Sequence, residues 1–280
     1  MKDDADVPPR QPGGIRPLKP RQPRAFSTSP RPAPLPPAEP VRLNRYVAQA
    51  GVCSRREADV LIREGRVRVN GRAVTELGVR VQPGDQVEVN GRRVSPRPFV
   101  YLLLNKPADT ITTTDDERGR KTVLDLIDLP PAEKEGLFPV GRLDRDTQGV
   151  LLLTNDGELS HRLMHPSYQI DKLYRVRTRM PVKPDELARL RDGVLLDDGM
   201  ARADQVAYVQ PPDLHELGLL LHEGRNRQIR RMLEAIGHLV ERLERVGYAG
   251  LTTEGLRRGK WRRLLPHEVT RLYRLVKLKR

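Results

Sequence analysis

The chain has 280 residues, enough for one sizeable core or two domains, and carries 51 Lys and Arg against 37 Asp and Glu, a formal charge of +14. That balance points to an anionic partner; charge alone does not separate nucleic acid from anionic lipid, but no run approaches the roughly 20 apolar residues that a membrane span requires. The single cysteine, Cys53, excludes an intrachain disulfide and a four-thiolate metal site, and it reads as a small packing residue.

Residues 1–40 hold 12 of the 25 prolines, and from Arg10 to Arg31 there are six basic residues and no acidic one. Such a segment has too few apolar groups to offset ordering entropy, so a disordered basic tail is expected, either solubilising or strengthening the hold on an anionic partner through unspecific phosphate contacts. The start lacks the basic-then-apolar pattern of a secretory signal, and a soluble cytoplasmic protein is expected.

From Leu43 the pattern changes. Leu43, Tyr46 and Val47 are spaced for one face of a short helix ending near Gly51. A second helix starts at Ser54, with Glu57 completing a capping box and Ala58, Leu61 and Ile62 on its buried side. Arg55, Arg56, Arg63 and Arg66 leave the other side basic. Period-two segments follow at 66–71 and 85–91. Arg42-Leu43, the run 51–58, Ile62 to Val67 and Val69-Asn70-Gly71 together resemble the alpha-L RNA-binding domain. The resemblance covers Val41 to about Arg93 and implies phosphate contacts from Arg42, Arg55, Arg56, Arg63 and Arg66.

Pro96 and Pro98 mark a linker, so 41–95 reads as an RNA-binding domain and 96–280 as a larger body. In that body, Tyr101 to Pro107 is a buried strand running into a turn, and Thr110 to Lys121 is a polar, flexible loop. Strands are predicted at 150–153, 173–178, 205–209 and 216–221, and helices at 158–164, 184–191 and 226–237. This irregular alternation favours an α+β fold over a doubly wound sheet.

The stretch Gly141 to Gly157 places Asp144 in a basic loop ahead of an apolar strand that can hold it rigidly. On residues alone, Asp144 is a loop cap, an arginine partner or a carboxylate aimed at a sugar. Arg142 and Arg145 beside it can neutralise phosphates. Asp146 invites a paired-acid or Mg²⁺ reading, but no third oxygen ligand has suitable spacing, and no metal is assigned. Arg225, Arg227, Arg230 and Arg231 cluster near a helix start and suit backbone contacts; Arg257 to Arg263, with Arg258, Lys260 and Trp261, reads either as a charged turn or as an RNA-side loop. His161 and His165 lie four apart without further ligands and read as surface or capping residues.

The 141–157 stretch resembles the catalytic motif of the RsuA-like family of ribosomal RNA pseudouridine synthases, as do Leu103 to Pro107, Asp171 to Val176 and Glu223 to Leu233. Val150 stands where leucine is common in that family, a mild volume change. With the N-terminal module, the resemblance spans about 41–276. It implies a catalytic domain around a central antiparallel sheet, Asp144 as catalytic aspartate, Tyr174 as active-site aromatic, Arg230 as the arginine that pairs with Asp144, and Arg142 beside the flipped nucleotide. It also implies no cofactor. Gly51 to Arg56 and the C-terminal Gly259 to Arg262 are most similar to the large-subunit RluB branch, which implies 23S ribosomal RNA as partner; a monomer is expected. A synthase acting on small-subunit RNA and a non-catalytic ribosome-binding protein are the alternatives. A two-acid glycosidase is weaker, since no second positioned carboxylate is evident.

Overall fold

The computed structural model describes residues 39–278. All but the last two residues of the expected tail lie outside the described residues, which fall in one compact unit, Pro34–Arg280.

The N-terminal module follows its local signals. Helices Leu43–Gln49 and Arg55–Arg63 pack on a small antiparallel sheet whose central strands are Val67–Val69 and Val87–Val89. Ser54 starts the second helix because its hydroxyl accepts from the Glu57 amide, while Glu57 Oε2 accepts from the Ser54 amide at 2.8 Å. Leu43, Val47, Ala58, Ile62, Val67 and Val87 form a separate apolar core. Arg45 donates to Glu158 at 3.0 Å and so ties this module to helix Gly157–Met164 of the larger body.

The body is built on a sheet in the order Gln205–Tyr208, Glu216–Leu221, Lys172–Thr178, Val240–Tyr248, Gln148–Thr154, Tyr101–Lys106, Trp261–Arg263. Every neighbouring pair on this path is antiparallel except one. Gln148–Thr154 and Val240–Tyr248 run parallel and meet only at Gln148 with Glu244 and Gly149 with Arg245, so the expected antiparallel sheet is a mixed one. Along the motif strand, Val150 and Leu152 face helices Gly157–Met164 and Pro266–Leu275, while Leu151 and Leu153 face Val123, Ile127 and Leu137. Burial on both faces explains its continuous apolar run.

Two readings are corrected. The Thr110–Lys121 loop is anchored: Ile111 bridges Thr122, and the Thr112 hydroxyl donates to Leu143 O at 2.7 Å. Threonine hydroxyls satisfied within a loop make a polar sequence rigid, which composition does not reveal. Trp261 lies in a strand paired with Leu104 and packs against the core rather than on an RNA-side loop.

At the parallel junction, Gly149 has φ +106° and a Cβ there would fall 2.1 Å from Arg245 O. Gly149→Ala must therefore push the two strands apart as well as adopt a strained backbone. The expected result is a loss of at least about 3 kcal/mol, read as a melting temperature lowered by roughly 6–12 °C. An unchanged melting temperature would mean that the junction yields freely.

Candidate active site

The site begins with a lysine inside an apolar strand. Lys106 ends Tyr101–Lys106 and is fully buried, yet its ammonium lies within hydrogen-bond distance of four carbonyls: Thr147 at 2.8 Å, Pro107 and Asp144 at 3.0 Å and Arg145 at 3.2 Å. A single buried cation thus gathers the backbone of the 144–147 turn. That turn is closed by the Thr147 amide donating to Asp144 O at 3.0 Å. Burial pulls the Lys106 ammonium down to about 8, against an opposing pull from Asp146 and Asp144. Leu143, immediately before Asp144, is held from the other side by Thr112.

Asp144 projects into an open cleft of about 1490 Å³ lined also by Arg142, Tyr174, Arg225, Arg227, Arg245 and Tyr248. Its side chain is 33% exposed, and Arg227 Nη1 stands 4.0 Å from its Oδ2. Tyr174 reaches the cleft from Lys172–Thr178, opposite Leu219 on one neighbouring strand and Arg245 on the other. Arg142 is exposed at the rim. The structure therefore brings Asp144, Tyr174, Arg142 and Arg227 together. A carboxylate beside a tyrosine in an arginine-rimmed cleft can attack or deprotonate a sugar whose phosphates the arginines hold.

The expected pairing of Arg230 with Asp144 is corrected. Arg230 Nη2 meets Asp146 Oδ2 at 2.8 Å, and its Nη1 donates to Val240 O at 3.3 Å. Arg230 sits on the buried face of helix Gln228–Ala235, whereas Arg227 precedes that helix in a left-handed conformation, φ +47°. The helix boundary thus directs one arginine to each aspartate. Arg230→Lys keeps charge but loses the planar fork, so the 144–147 turn should loosen and any chemistry at Asp144 slow by about tenfold. Asp146→Asn should give a similar loss, and the double variant little more, because both break one contact. Additive losses in single-turnover rates would separate the two residues.

Three further expected RNA contacts are engaged within the protein. Arg225 donates to Met200 O at 2.7 Å and to Glu223 at 3.1 Å, and Arg231 pairs with Asp198 at 2.8 Å, so both brace the hairpin Val194–Ala201. Arg258 donates to Asn105 Oδ1 at 2.6 Å and Glu244 at 2.7 Å. It is a brace between strands, where a surface phosphate contact had been expected. A sequence count of arginines misses this because their acceptors are distant in the chain. Lys260, by contrast, is exposed. In the N-terminal module Arg42, Arg55, Arg56 and Arg63 are exposed, while Arg66 bonds Asn90 at 2.7 Å and Glu64 at 3.1 Å. No group of three metal-ligating side chains occurs among the described residues, and His165 bonds Ser167 at 2.7 Å.

Two buried cationic side chains at the site, Lys106 and Arg245, were not singled out as site residues. The signal for Lys106 was a polar pair, Asn105-Lys106, closing a strand whose preceding run Leu102-Leu103-Leu104 is wholly apolar. For Arg245 it was an arginine in step with Leu243 on the inward face of a strand.

Residues 100–235 match the family described as RNA pseudouridylate synthase, and residues 41–87 match the S4 domain. The chain is 48% identical over 239 residues to ribosomal large subunit pseudouridine synthase B of Bacillus subtilis (strain 168), covering 84% of this chain and 96% of that protein. It is 35% identical to the dual-specificity RNA pseudouridine synthase RluF of Escherichia coli (strain K12), covering 86% of this chain and 81% of the relative. A solved structure described as a pseudouridylate synthase superposes with a TM-score of 0.59 at 30% identity, covering 83% of this chain and 99% of that one.

Proposed function

This chain belongs to the RNA pseudouridine synthase family, and we propose that it isomerises a specific uridine in large-subunit 23S ribosomal RNA, with Asp144 as the catalytic carboxylate. The enzyme class needs no cofactor, since uridine and pseudouridine contain the same atoms. The observation that carries the target is the 48% identity to the Bacillus subtilis large-subunit enzyme over 96% of its length.

The site supports the chemistry. Asp144 either attacks the ribose C1′ or takes the C2′ proton; each route breaks the N1–C1′ bond, after which uracil turns and C5 joins the sugar. Tyr174, which lines the same cleft, stacks on the extruded base in this proposal and takes part in removing the C5 proton. Extrusion from the RNA stack costs a few kcal/mol. Arg142 and Arg227, exposed at the rim, are placed to offset that through phosphates, with the N-terminal arginines gripping neighbouring RNA. In this proposal the chain acts as a monomer on cytoplasmic ribosomal RNA.

The test is a map of pseudouridines in ribosomal RNA from cells with and without the protein. One large-subunit pseudouridine should disappear and should return when purified protein is added to the unmodified RNA. Loss of a small-subunit pseudouridine alone would overturn the target.

A further inference from the structure

Arg245 is a buried guanidinium with no carboxylate partner among the described residues. The residue is 2% exposed and lies midway along the Val240–Tyr248 strand. Nε donates to Val150 O at 2.9 Å, and the guanidinium carbon sits 4.5 Å from the centroid of the Tyr248 ring. Neither terminal nitrogen has a hydrogen-bond partner among the described residues, Nη2 is buried, and no carboxylate lies within 4.0 Å to form an ion pair. Arg230, the other deeply buried arginine, has Asp146 opposite it. Burying a cation without a counter-charge is expensive, and such groups are retained where a ligand completes them.

Arg245 lines the same cleft as Asp144, directly across the strand pair from Tyr174 and alongside Gly149. Its cleft neighbour Tyr174 offers flat aromatic surface, suited to a planar base rather than to a tetrahedral phosphate, while the buried Tyr248 ring backs the guanidinium. The exposed arginines at the rim, Arg142 and Arg227, are the groups suited to phosphates. We propose that Arg245 binds the flipped uracil, donating from its free terminal nitrogens to a carbonyl oxygen of the base, and stabilises the anion that uracil becomes on detachment. This rests on the assigned synthase activity and extends it.

The step balances without a co-reactant. When N1–C1′ breaks, its electron pair stays on N1 and spreads onto O2 and O4, while C1′ is satisfied by the Asp144 carboxylate or by loss of the C2′ proton to it. Negative charge therefore grows on the base oxygens as the bond breaks. A guanidinium already desolvated and fixed by Val150 O and Tyr248 stabilises that charge without reorganising. When C5 of the anion later bonds C1′, the bond from Asp144 to C1′ breaks, or on the other route Asp144 returns the proton to C2′; C5 then loses its proton and N1 gains one, which restores the neutral ring.

The test uses the full chain and a short target RNA carrying either uridine or 5-fluorouridine at the reacting position. Fluorine stabilises the detached anion and so replaces part of what Arg245 supplies. With uridine, Arg245→Gln should lower the single-turnover rate by at least about a hundredfold while RNA affinity stays within about threefold. With 5-fluorouridine, which carries fluorine in place of the C5 proton and so stops as a C5–C1′-linked product that takes up water at C6, the defect in forming that product should be at least about tenfold smaller, read by mass spectrometry as the gain of one water. Arg245→Lys, which keeps a charged donor and the packing stem, should show the same pattern in weaker form and carries the test if the glutamine variant does not fold. Equal defects on both substrates, or affinity falling in step with rate, would overturn the proposal in favour of packing or phosphate binding. Wild-type protein that left uridine unconverted would count against the synthase assignment, not against Arg245.

Discussion

Asp144→Asn is expected to abolish isomerisation while leaving RNA binding within a few-fold of wild type. The amide keeps the size of the side chain but is neither a nucleophile for C1′ nor a base for the C2′ proton, so both routes stop. The loss should reach at least about 10⁴-fold in single-turnover rate, about 5.5 kcal/mol of transition-state stabilisation. On the proposed reading exposed arginines, rather than the carboxylate, hold the RNA, so affinity should survive; removing a negative charge beside Arg227, 4.0 Å away, can only favour phosphate approach. Pseudouridine formed by the variant at more than about a hundredth of the wild-type rate would remove Asp144 from the mechanism.

Lys106→Met is expected to cost on the order of a hundredfold in activity without touching substrate. Methionine fills similar volume but donates nothing to the carbonyls of Asp144, Arg145 and Thr147. Each buried acceptor left without a donor costs about 1–3 kcal/mol, and the turn will move to recover water or other partners. A displacement near 1 Å at a reacting group costs on the order of a hundredfold in rate. Single-turnover rate should therefore fall by about that factor or more, with RNA affinity little changed, since Lys106 makes no contact with the rim arginines Arg142 and Arg227. A variant with wild-type rate would show that the turn holds its shape unaided.

The same lysine predicts a pH dependence. Burial brings its titration down to about 8. Below that pH it is an ammonium with three donors; above it, a neutral amine turns a lone pair towards carbonyl oxygens. The wild-type rate should thus decline as pH rises through about 8, and Lys106→Met should lack that limb. A flat wild-type profile between pH 7 and about 9.5 would show that the carbonyl cage keeps Lys106 charged throughout.

The 141–157 motif illustrates how much function a sequence carries and how it is distributed. Only its first part, the 141–147 loop, forms the site. Gln148–Thr154 is the buried strand that carries it, and Gly149 is there to let Arg245 pass. Asp156 serves the fold: it caps helix Gly157–Met164 through the Glu158 and Leu159 amides and accepts from the hydroxyls of Tyr101 and Tyr273. A contiguous motif thus mixes catalytic and architectural requirements that look alike on paper.

Sequence by itself determined what is local or periodic. The Ser54–Glu57 capping box, the helix spacing of Leu43, Tyr46 and Val47, the apolar strand at 150–153 and the position of Asp144 after a basic residue all follow from neighbours within one or two turns of chain. Tertiary structure decided which charges meet. Arg230 and Asp146 are 84 positions apart, Arg258 and Asn105 153, and Lys106 and Asp144 38, and nothing in their spacing names the partner. An arginine's reach is long and its acceptors are many, so whether it grips RNA, braces a hairpin or waits unpaired for a base depends on the sheet order that sets its surroundings. The parallel junction at Gly149 and Arg245 is the clearest case: it joins strands separated by over 80 residues, and it places the one buried guanidinium without a carboxylate, among the described residues, beside the candidate aspartate loop.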